Sequence, residues 1–204
     1  MFAGIDLGAE HLHCVAIGPD RSIVDARVFS DVDATVDWAA RAEQVAIDAP
    51  ATLSTAPHAS EDGLSPKFRH ARCAEVALGR GFGVWVPWTT PIEESLAAAW
   101  MRTGFRLFAS LRSRGADPVE VYPYGAFRYL AGQRPGRKQS AAGAALRVAL
   151  LRKRGVSGGW LEMWSHDGLD ALMAALIAAD RAAGKAVPVG CGHDGSAIWL
   201  PSAS

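Results

Sequence analysis

Three short apolar runs at the start of the chain constrain its fold more than any other feature. They span Phe2 to Leu7, Leu12 to Ile17 and Ile23 to Phe29, with a strong Gly-Pro-Asp turn signal between the last two. Strands this close in sequence pair as an antiparallel meander. Asp6 lies within the first run, where an ionised carboxylate is costly unless a cation or several hydrogen-bond donors meet it. The sequence therefore predicts a sheet with a binding partner for Asp6.

A helix and a fourth strand follow the meander. Val32 to Ala42 has the composition and length of a helix, and Gln44 to Asp48 has the pattern of a strand. A helix between two neighbouring strands forms a right-handed crossover that makes them parallel. Ligands of open α/β sheets bind beyond the carboxyl ends of parallel strands. Asp6 and Asp48, each near the C-terminal end of its strand, are therefore candidates for one site.

The remaining elements alternate along the chain after a long surface loop from Ala51 to Pro66. We expect helices at Lys67 to Leu78, Pro91 to Arg112 and Ser140 to Arg154, strands at Val84 to Trp88 and Val119 to Tyr122, and strands or tail pairings at Val187 to Val189 and Ala197 to Leu200. We expect Glu120 to be an exposed charge at a sheet edge, with a fifth ligand role as the alternative. The pattern predicts one α/β domain over residues 1–204, with a mixed five-stranded central sheet and helices on both faces.

The last long helix carries two further acids. Its apolar residues from Leu169 to Ile177 recur at spacings of three and four and form one stripe. Asp167 and Asp170 stand one turn apart at its N-terminal end, where negative charge is favoured. For Asp167 the pattern slightly favours a first-turn acid over a ligand role. Asp170 lies beside the apolar stripe and is not an ordinary solvated charge.

Convergence of these acids would require a cation. Two like charges about 4 Å apart cost roughly 4 kcal/mol at an effective dielectric constant of about 20. A divalent cation removes that cost, and Mg²⁺ and Mn²⁺ prefer such oxygen ligands. Paired metals of this kind stabilise both the attacking and the leaving oxygen of a phosphodiester displacement. If Asp6, Asp48, Asp167 and Asp170 meet, the chemistry they favour is hydrolysis of a phosphodiester.

The order of these motifs resembles known proteins. The segment Gly4 to Gly8 on a first strand, the meander, an acid on the fourth strand and the segment His166 to Ala171 on a final helix resemble the ribonuclease H fold in its Holliday-junction-resolvase branch. A closer set of segments is similar to a prokaryotic family of predicted ribonuclease H-like nucleases, the domain of unknown function numbered 429. These segments are Val45 to Pro50, Arg72 to Glu75, Glu120 to Pro123 and Asp167 to Ala175.

The resemblance implies a metal-dependent nuclease that hydrolyses nucleic acid, because fold and motifs of the family point to that chemistry. It implies Asp6, Asp48 and Asp170 as the first ligands of Mg²⁺ or Mn²⁺ and as catalytic residues, with Asp167 as a close fourth. One departure is that the acid at the position of Asp48 is more often Glu in resolvases, so a shorter side chain must reach the same metal here.

Basic residues are candidates for substrate binding. Lys67, Arg69 and Arg72 cluster on one predicted helix and could contact phosphates, with an ordinary solvated face as the alternative. The loop from Arg134 to Lys138 has the same two interpretations. Lys plus Arg and Asp plus Glu both number 21, which gives a formal charge of zero. This balance argues against a strong general affinity for polyanions, so nucleic-acid binding would need such a local patch.

The cysteines and the N-terminal segment indicate in which cellular compartment the protein is expected. Cys14, Cys73 and Cys191 are widely spaced and odd in number, so we expect no disulfide framework and a cytoplasmic protein. We expect neither a signal peptide nor a spanning helix, because acids interrupt the first apolar run. The close pairs of potential zinc ligands match no common zinc module, and we expect packing and surface positions for them: His11 with His13, and Cys191 with His193.

Two other function classes stay open. Trp85 and Trp88 leave room for an exposed apolar interface, which favours a noncatalytic binding or assembly module of ribonuclease H fold. The segment Gly4 to Gly8 also resembles the first phosphate loop of actin-like ATP-binding proteins, but those need two such halves and this chain has room for one. The leading interpretation takes nucleic acid as the partner, with no membrane and no nucleotide cofactor. The sequence leaves the oligomeric state and the choice of DNA or RNA open.

Overall fold

A mixed sheet forms the centre of the protein. The computed structural model describes residues 1–8, 10–137 and 140–203. Over these residues the sheet has seven strands in the order β3-β2-β1-β4-β5-β7-β6. The strands are β1 (Phe2–Leu7), β2 (Leu12–Ile17), β3 (Ile23–Phe29), β4 (Gln44–Asp48), β5 (Val119–Val121), β6 (Val187–Val189) and β7 (Ile198–Leu200).

The predicted N-terminal half of the sheet is confirmed. Strands β1, β2 and β3 form the antiparallel meander, and β4 pairs with β1 in parallel. The first four strands have the predicted bounds because alternating or continuous apolar runs, ended by turn residues, are strong strand signals. The crossover helix α1 (Val32–Ala39) begins where predicted, with the Asp31 side chain accepting a hydrogen bond from the Ala34 backbone N–H.

The expected five-stranded sheet is wrong, because the sheet has seven strands. The two C-terminal segments that were candidates for tail pairings, β6 and β7, pair with each other, and β7 pairs in parallel with β5. Strand β5 is therefore interior, and Glu120 is buried rather than exposed at an edge. The predicted strand Val84 to Trp88 does not form, although Val84 and Val86 are buried, and Pro87 within it has no N–H to donate.

The helices cover both faces of the sheet. Their bounds are α2 (Pro66–Arg69), α3 (Cys73–Phe82), α4 (Ala99–Ser113), α5 (Pro123–Ala131), α6 (Ala141–Lys153) and α7 (His166–Ala182). The single helix predicted over Lys67 to Leu78 is two helices, and the one predicted from Pro91 begins only at Ala99. One core contains α3, α5, α6 and α7, and a second core, on the opposite face, contains α1 and α4.

Helix α7 lies directly on the first strand. A Cβ atom at Gly4 would lie 2.0 Å from the Ala171 carbonyl oxygen and 2.2 Å from the Ala175 backbone nitrogen. Glycine is therefore required on β1 for this close approach. The contact determines where the N-terminal end of α7 meets the sheet, and with it the positions of the acids on that helix.

The expectation that the cysteines form no disulfide is also wrong. Cys73 and Cys191 are joined, with their Cα atoms 5.2 Å apart although 118 positions separate them in sequence. Sequence spacing could not show this, because the pair depends on the loop after β6 folding back against the start of α3. Cys14 is free and buried. No helix in the described part of the chain is both long and apolar enough to cross a membrane.

Candidate active site

The four aspartates singled out by the sequence line one cleft. The cleft has a volume of about 580 Å³, and Asp6, Asp48, Asp167 and Asp170 all contribute to its wall. They come from β1, β4 and α7, three elements that are far apart in sequence. Folding therefore brings into the lining of one cavity four carboxylates, here called the carboxylate cluster, that no single local motif contains.

Asp6 and Asp48 extend from the same side of the sheet. They are register partners on the parallel strands β1 and β4. Their neighbours Ile5 and Ile47 belong to the core that contains α1 and α4, so alternation directs the two acids toward α7. Asp6 is buried and Asp48 is partly exposed at the mouth of the cleft.

The first turns of α7 carry the other two acids. The Ser165 side chain caps this helix by accepting a hydrogen bond from the Gly168 backbone N–H at 3.1 Å. Asp167 lies in the first turn and its side chain is 25% exposed, whereas the Asp170 side chain is 3% exposed. Negative charge is favoured in the first turn of a helix, which is where Asp167 lies.

Two histidines flank Asp167. The His166 Nε2 atom lies 3.1 Å from its Oδ1 atom, and the His13 Nε2 atom lies 3.8 Å from its Oδ2 atom. His13 pairs with Asp6 across the β1–β2 ladder. Burial lowers the pKa of His13, and the nearby Asp167 only partly opposes this effect. We expected His13 at a packing or surface position from the sequence, and its place beside the acids was missed.

A tyrosine hydroxyl and a cysteine thiol lie near the carboxylates. Burial raises the pKa of Tyr122, and the negative charges of Asp48 and Asp170 raise it further. Burial likewise raises the pKa of the Cys14 thiol, with a smaller contribution from Asp6. Tyr122 and Cys14 therefore stay protonated at neutral pH and add no further negative charge to this region.

Arg147 lies behind Asp170. Its Nε atom is 3.7 Å from the Asp170 Oδ1 atom, and its side chain is completely buried. The guanidinium lies over the Phe127 ring, 5.2 Å from the ring centroid. Among the described residues its nitrogens have no hydrogen-bond partner, so its attraction to Asp170 is mainly electrostatic. The sequence placed Arg147 on a helix but contained no signal for this contact.

Aromatic and basic side chains form the rest of the cleft wall. Trp88 is central among the rings, with centroids 5.3 Å from Trp100 and 5.9 Å from Tyr122 in edge-to-face contacts. The other ring and cation contributors are Trp85, Tyr124, Arg128 and Arg134. Arg134 belongs to the basic loop noted in the sequence, whereas Lys138 of that loop lies outside the described residues. Arg128 was not anticipated.

The predicted basic patch on one helix is only partly present. Lys67 is exposed and donates hydrogen bonds to the carbonyls of Val86 and Pro87, at 3.3 and 2.7 Å. Arg69 is half-buried, and its Nε atom lies 3.4 Å from the Leu64 carbonyl oxygen. The expectation is wrong for Arg72, which is completely buried and lies in the core rather than on a solvent face. A buried guanidinium cannot reach a phosphate of a nucleic acid without unfolding its surroundings.

Arg72 instead holds an ion network behind the cleft. Its guanidinium donates to both oxygens of Glu120, at 2.6 and 2.5 Å, and to Glu75 at 3.1 Å. Glu120 also accepts a hydrogen bond from the Ala51 backbone N–H at 2.8 Å. Burial raises the pKa of Glu120, and the Arg72 charge opposes that rise. This network supports the loop that follows Asp48.

Glu120 is not part of the carboxylate cluster. It pairs in register with Ile47, so it lies on the face of the sheet opposite Asp48. Its position is therefore structural, and neither the exposed-charge nor the fifth-ligand interpretation describes it.

Comparison with known proteins identifies a family and a structural likeness. A family model described as "Protein of unknown function (DUF429)" matches residues 4–191. Among solved structures, the Thermus thermophilus RuvC structure is similar with a TM-score of 0.47 and 16% sequence identity, over 97% of this chain and 98% of that chain. No curated protein sequence matches the chain.

Proposed function

The chain belongs to the DUF429 family, and we propose that it is a metal-dependent nuclease that hydrolyses phosphodiester bonds of nucleic acid. The family description assigns no activity, so the proposal rests on the cleft. The observation that carries it is that four carboxylates from β1, β4 and α7 line one cavity. The antiparallel meander, the parallel β4 and the final helix α7 also agree with the ribonuclease H fold that the sequence resemblance implied.

The donor set of the cleft fits a hard divalent cation. Asp6, Asp48, Asp167 and Asp170 offer only carboxylate oxygens, which are the ligands that Mg²⁺ and Mn²⁺ prefer. These four residues would hold the ion. When bound, the ion would neutralise the carboxylates and polarise the phosphodiester and a water molecule for in-line displacement.

The protein residues supply position and substrate contacts. Asp6 and Asp48 lie on paired strands and Asp170 on a buried helix, so they are held in place before any ligand arrives. Arg128 and Arg134 provide cations that phosphates can bind. The aromatic rings around Trp88 offer flat surfaces on which unpaired bases can stack.

A cleavage assay tests this proposal. End-labelled single-stranded, duplex, RNA–DNA hybrid and four-way-junction oligonucleotides are incubated with the protein and Mg²⁺ or Mn²⁺. We expect cleavage of at least one substrate, its loss in a chelator, and a loss of about 100-fold or more in Asp170→Asn, since that variant removes a ligand on which transition-state stabilisation depends.

The matched control is Asp62→Asn, which removes an exposed carboxylate on a loop that does not line the cleft. The control should cleave like the wild type. Binding of these oligonucleotides without cleavage, with either metal, would contradict the nuclease proposal and would favour the noncatalytic binding module.

We extend the proposal to domain organisation and location. One continuous sheet runs from the N-terminal meander to β6 and β7, which supports a single domain. A cytoplasmic location agrees with the proposed substrate. Fractionation of cells that express the tagged chain tests this location.

A further inference from the structure

We propose that Cys73, Cys191 and His58 form a zinc site that is separate from the acidic cleft and independent of the proposed nuclease activity. None of the three residues lines that cleft. One ligand atom from each, the two Sγ atoms and one ring nitrogen, lies within 4.8 Å of the others. Two sulfurs and an imidazole are a ligand combination typical of zinc.

The three ligands come from three segments that meet at one end of the molecule. His58 lies in a turn of the long loop between β4 and α2, Cys73 is the first residue of α3, and Cys191 follows β6. A metal bound here would tie the long loop to the body of the protein. The loop otherwise contains no regular secondary structure over residues 51–65.

His58 is oriented as a metal ligand. Its Nδ1 atom lies 2.8 Å from the Glu61 Oε2 atom, so Nδ1–H donates to the carboxylate and the Nε2 lone pair is available. Glu61 in turn forms an ion pair with Arg80. The Nε2 atom is buried and has no hydrogen-bond partner among the described residues. A histidine that donates its second nitrogen to a carboxylate is the usual arrangement around protein-bound metals.

Besides the disulfide, hydrogen bonds also join the two cysteine-bearing segments. The Cys73 backbone N–H donates to the Asp194 Oδ2 atom at 3.0 Å, and the Ala74 backbone N–H donates to the Ser196 Oγ atom at 3.0 Å. These bonds hold the segment that follows Cys191 against the N-terminus of α3.

Zinc binding requires the reduced form of the pair. A phosphine reductant and water convert the Cys73–Cys191 disulfide to two thiols and a phosphine oxide. Zinc then displaces the two thiol protons and takes the His58 Nε2 lone pair. Cys191 is exposed, so a water molecule can complete the tetrahedral shell on the solvent side. In the oxidised form the sulfurs are bonded to each other and the site is closed to the metal.

Zinc titration of the full-length reduced protein tests this proposal. The protein is reduced with phosphine, stripped with a chelator and titrated with Zn²⁺ against a chromophoric competitor. We expect one tightly bound Zn²⁺ per chain, and a thiolate-to-metal charge-transfer band when Co²⁺ replaces it. Oxidation of the pair to the disulfide should release the metal.

Variants separate this site from other sources of zinc binding. His58→Ala and Cys191→Ser should each lose stoichiometric binding, and Glu61→Gln should weaken binding about 10- to 100-fold. His193→Ala, an exposed histidine two positions from Cys191, should bind like the wild type, as should Cys14→Ala.

Two results would overturn the proposal. One is a reduced wild-type protein that binds no zinc and shows no charge-transfer band with cobalt. The other is zinc binding that persists in His58→Ala and Cys191→Ser, which would place the metal elsewhere. The wild-type cobalt spectrum needs no variant, so a ligand variant that fails to fold does not remove the test.

Discussion

Asp6 and Asp48 occupy paired positions on neighbouring parallel strands, so their carboxylates leave the sheet on the same side and next to each other. Helix α7 lies over that side and adds Asp170 from its first turns. Adjacent strands are about 4.8 Å apart, so carboxylates at paired positions repel one another strongly unless cations are nearby. The arrangement therefore favours binding of a divalent cation at this point.

Mg²⁺ or Mn²⁺ should raise the melting temperature of the protein. A ligand at 100 times its Kd stabilises by about 2.7 kcal/mol, which for a chain of this length corresponds to roughly 5–10 °C. Asp6→Asn, Asp48→Asn and Asp170→Asn should remove most of that rise. Asp167→Asn should remove less, because the Asp167 side chain is 25% exposed and lies beside His166 and His13. Differential scanning fluorimetry with and without metal measures these shifts, and an equal rise in Asp6→Asn and the wild type would contradict the predicted ligand set.

Gly4→Ala should destabilise the protein and weaken its metal response. The added Cβ would lie 2.0 Å from the Ala171 carbonyl oxygen and 2.2 Å from the Ala175 backbone nitrogen. Both of these atoms belong to the backbone of α7, so the helix must move. Overpacking of this kind costs about 1–3 kcal/mol or more, which lowers the melting temperature by several degrees at about 2–4 °C per kcal/mol. Because α7 carries Asp170, the rise in melting temperature on adding Mn²⁺ should also shrink.

The control for that substitution is Gly81→Ala. Gly81 lies in α3, and a Cβ atom there would meet nothing within 4 Å. Alanine is the better helix former by up to about 1 kcal/mol, so this variant should be at least as stable as the wild type. Thermal unfolding compares both variants, and equal stability of Gly4→Ala and Gly81→Ala would show that α7 does not rest on β1.

Arg72→Met should be strongly destabilising. It leaves Glu75 and Glu120 buried without their cation, and breaking a buried ion pair in this way costs about 3–5 kcal/mol. The double variant Arg72→Met with Glu120→Gln should recover part of that loss, since one unpaired charge is removed. Urea unfolding measures the change, with Arg69→Met, a half-buried arginine of the same segment, as the control that stays within about 1 kcal/mol of the wild type. A wild-type stability for Arg72→Met would show that the network does not support the core.

Arg128→Ala and Arg134→Ala should each weaken nucleic-acid binding, by a similar factor for every nucleotide sequence. Each removes a cation from the cleft wall, and each lost phosphate contact should reduce the slope of log K against log salt by about 0.9 on duplex DNA. Fluorescence anisotropy over a range of salt concentrations measures both effects. Arg106→Ala removes an equal charge from an exposed position that does not line the cleft, and its salt slope should match the wild type. The same slope for Arg134→Ala would place the nucleic acid elsewhere on the surface.

Acid should destabilise the protein partly through His13. Its pKa in the folded state is lowered from 6.5, chiefly by burial, although Asp167 opposes the effect. Well above pH 6.5 the ring is neutral in both the folded and the unfolded chain, so it contributes nothing to the pH dependence there. Below that value the unfolded chain gains a proton that the folded state resists, and the free energy of unfolding falls.

His13→Gln should therefore lose less stability than the wild type on going from about pH 7 to about pH 5. The nearby groups His11, His166 and Asp167 are unchanged in this variant. Chemical unfolding at each pH measures the difference. His70→Gln changes an exposed histidine and should follow the wild-type curve, whereas an identical curve for His13→Gln would show that this ring does not resist protonation.

Local pattern was sufficient for the elements that carry the acids. The first four strands and the apolar stripe of α7 follow from side-chain alternation and from helical spacing, which depend only on residues close in sequence. For the same reason Asp6, Asp48, Asp167 and Asp170 could be chosen as candidates from their positions along strands and a helix. The match to the DUF429 family agrees with the resemblance that these motifs suggested.

Contacts between segments far apart in sequence could not be predicted from such local patterns. Arg72 and Glu120 look like surface charges in sequence, yet they neutralise each other 48 positions apart in the core. Strands β6 and β7 have three residues each, so the sequence left them open between strands and tail pairings; in the sheet β7 pairs with β5, and β6 pairs with β7. Cys73 and His58 meet Cys191 only because two loops converge.

The order of residues along the chain thus determined which segments become strands and helices and which of them carry carboxylates. These properties depend only on residues that are close to each other in sequence. Only the three-dimensional packing decided which charges face the cleft and which are paired in the core. Whether a charge faces the cleft or is paired in the core depends on its desolvation and on a partner far away in sequence. Charged groups become buried and paired only when the sheet and its helices have packed together.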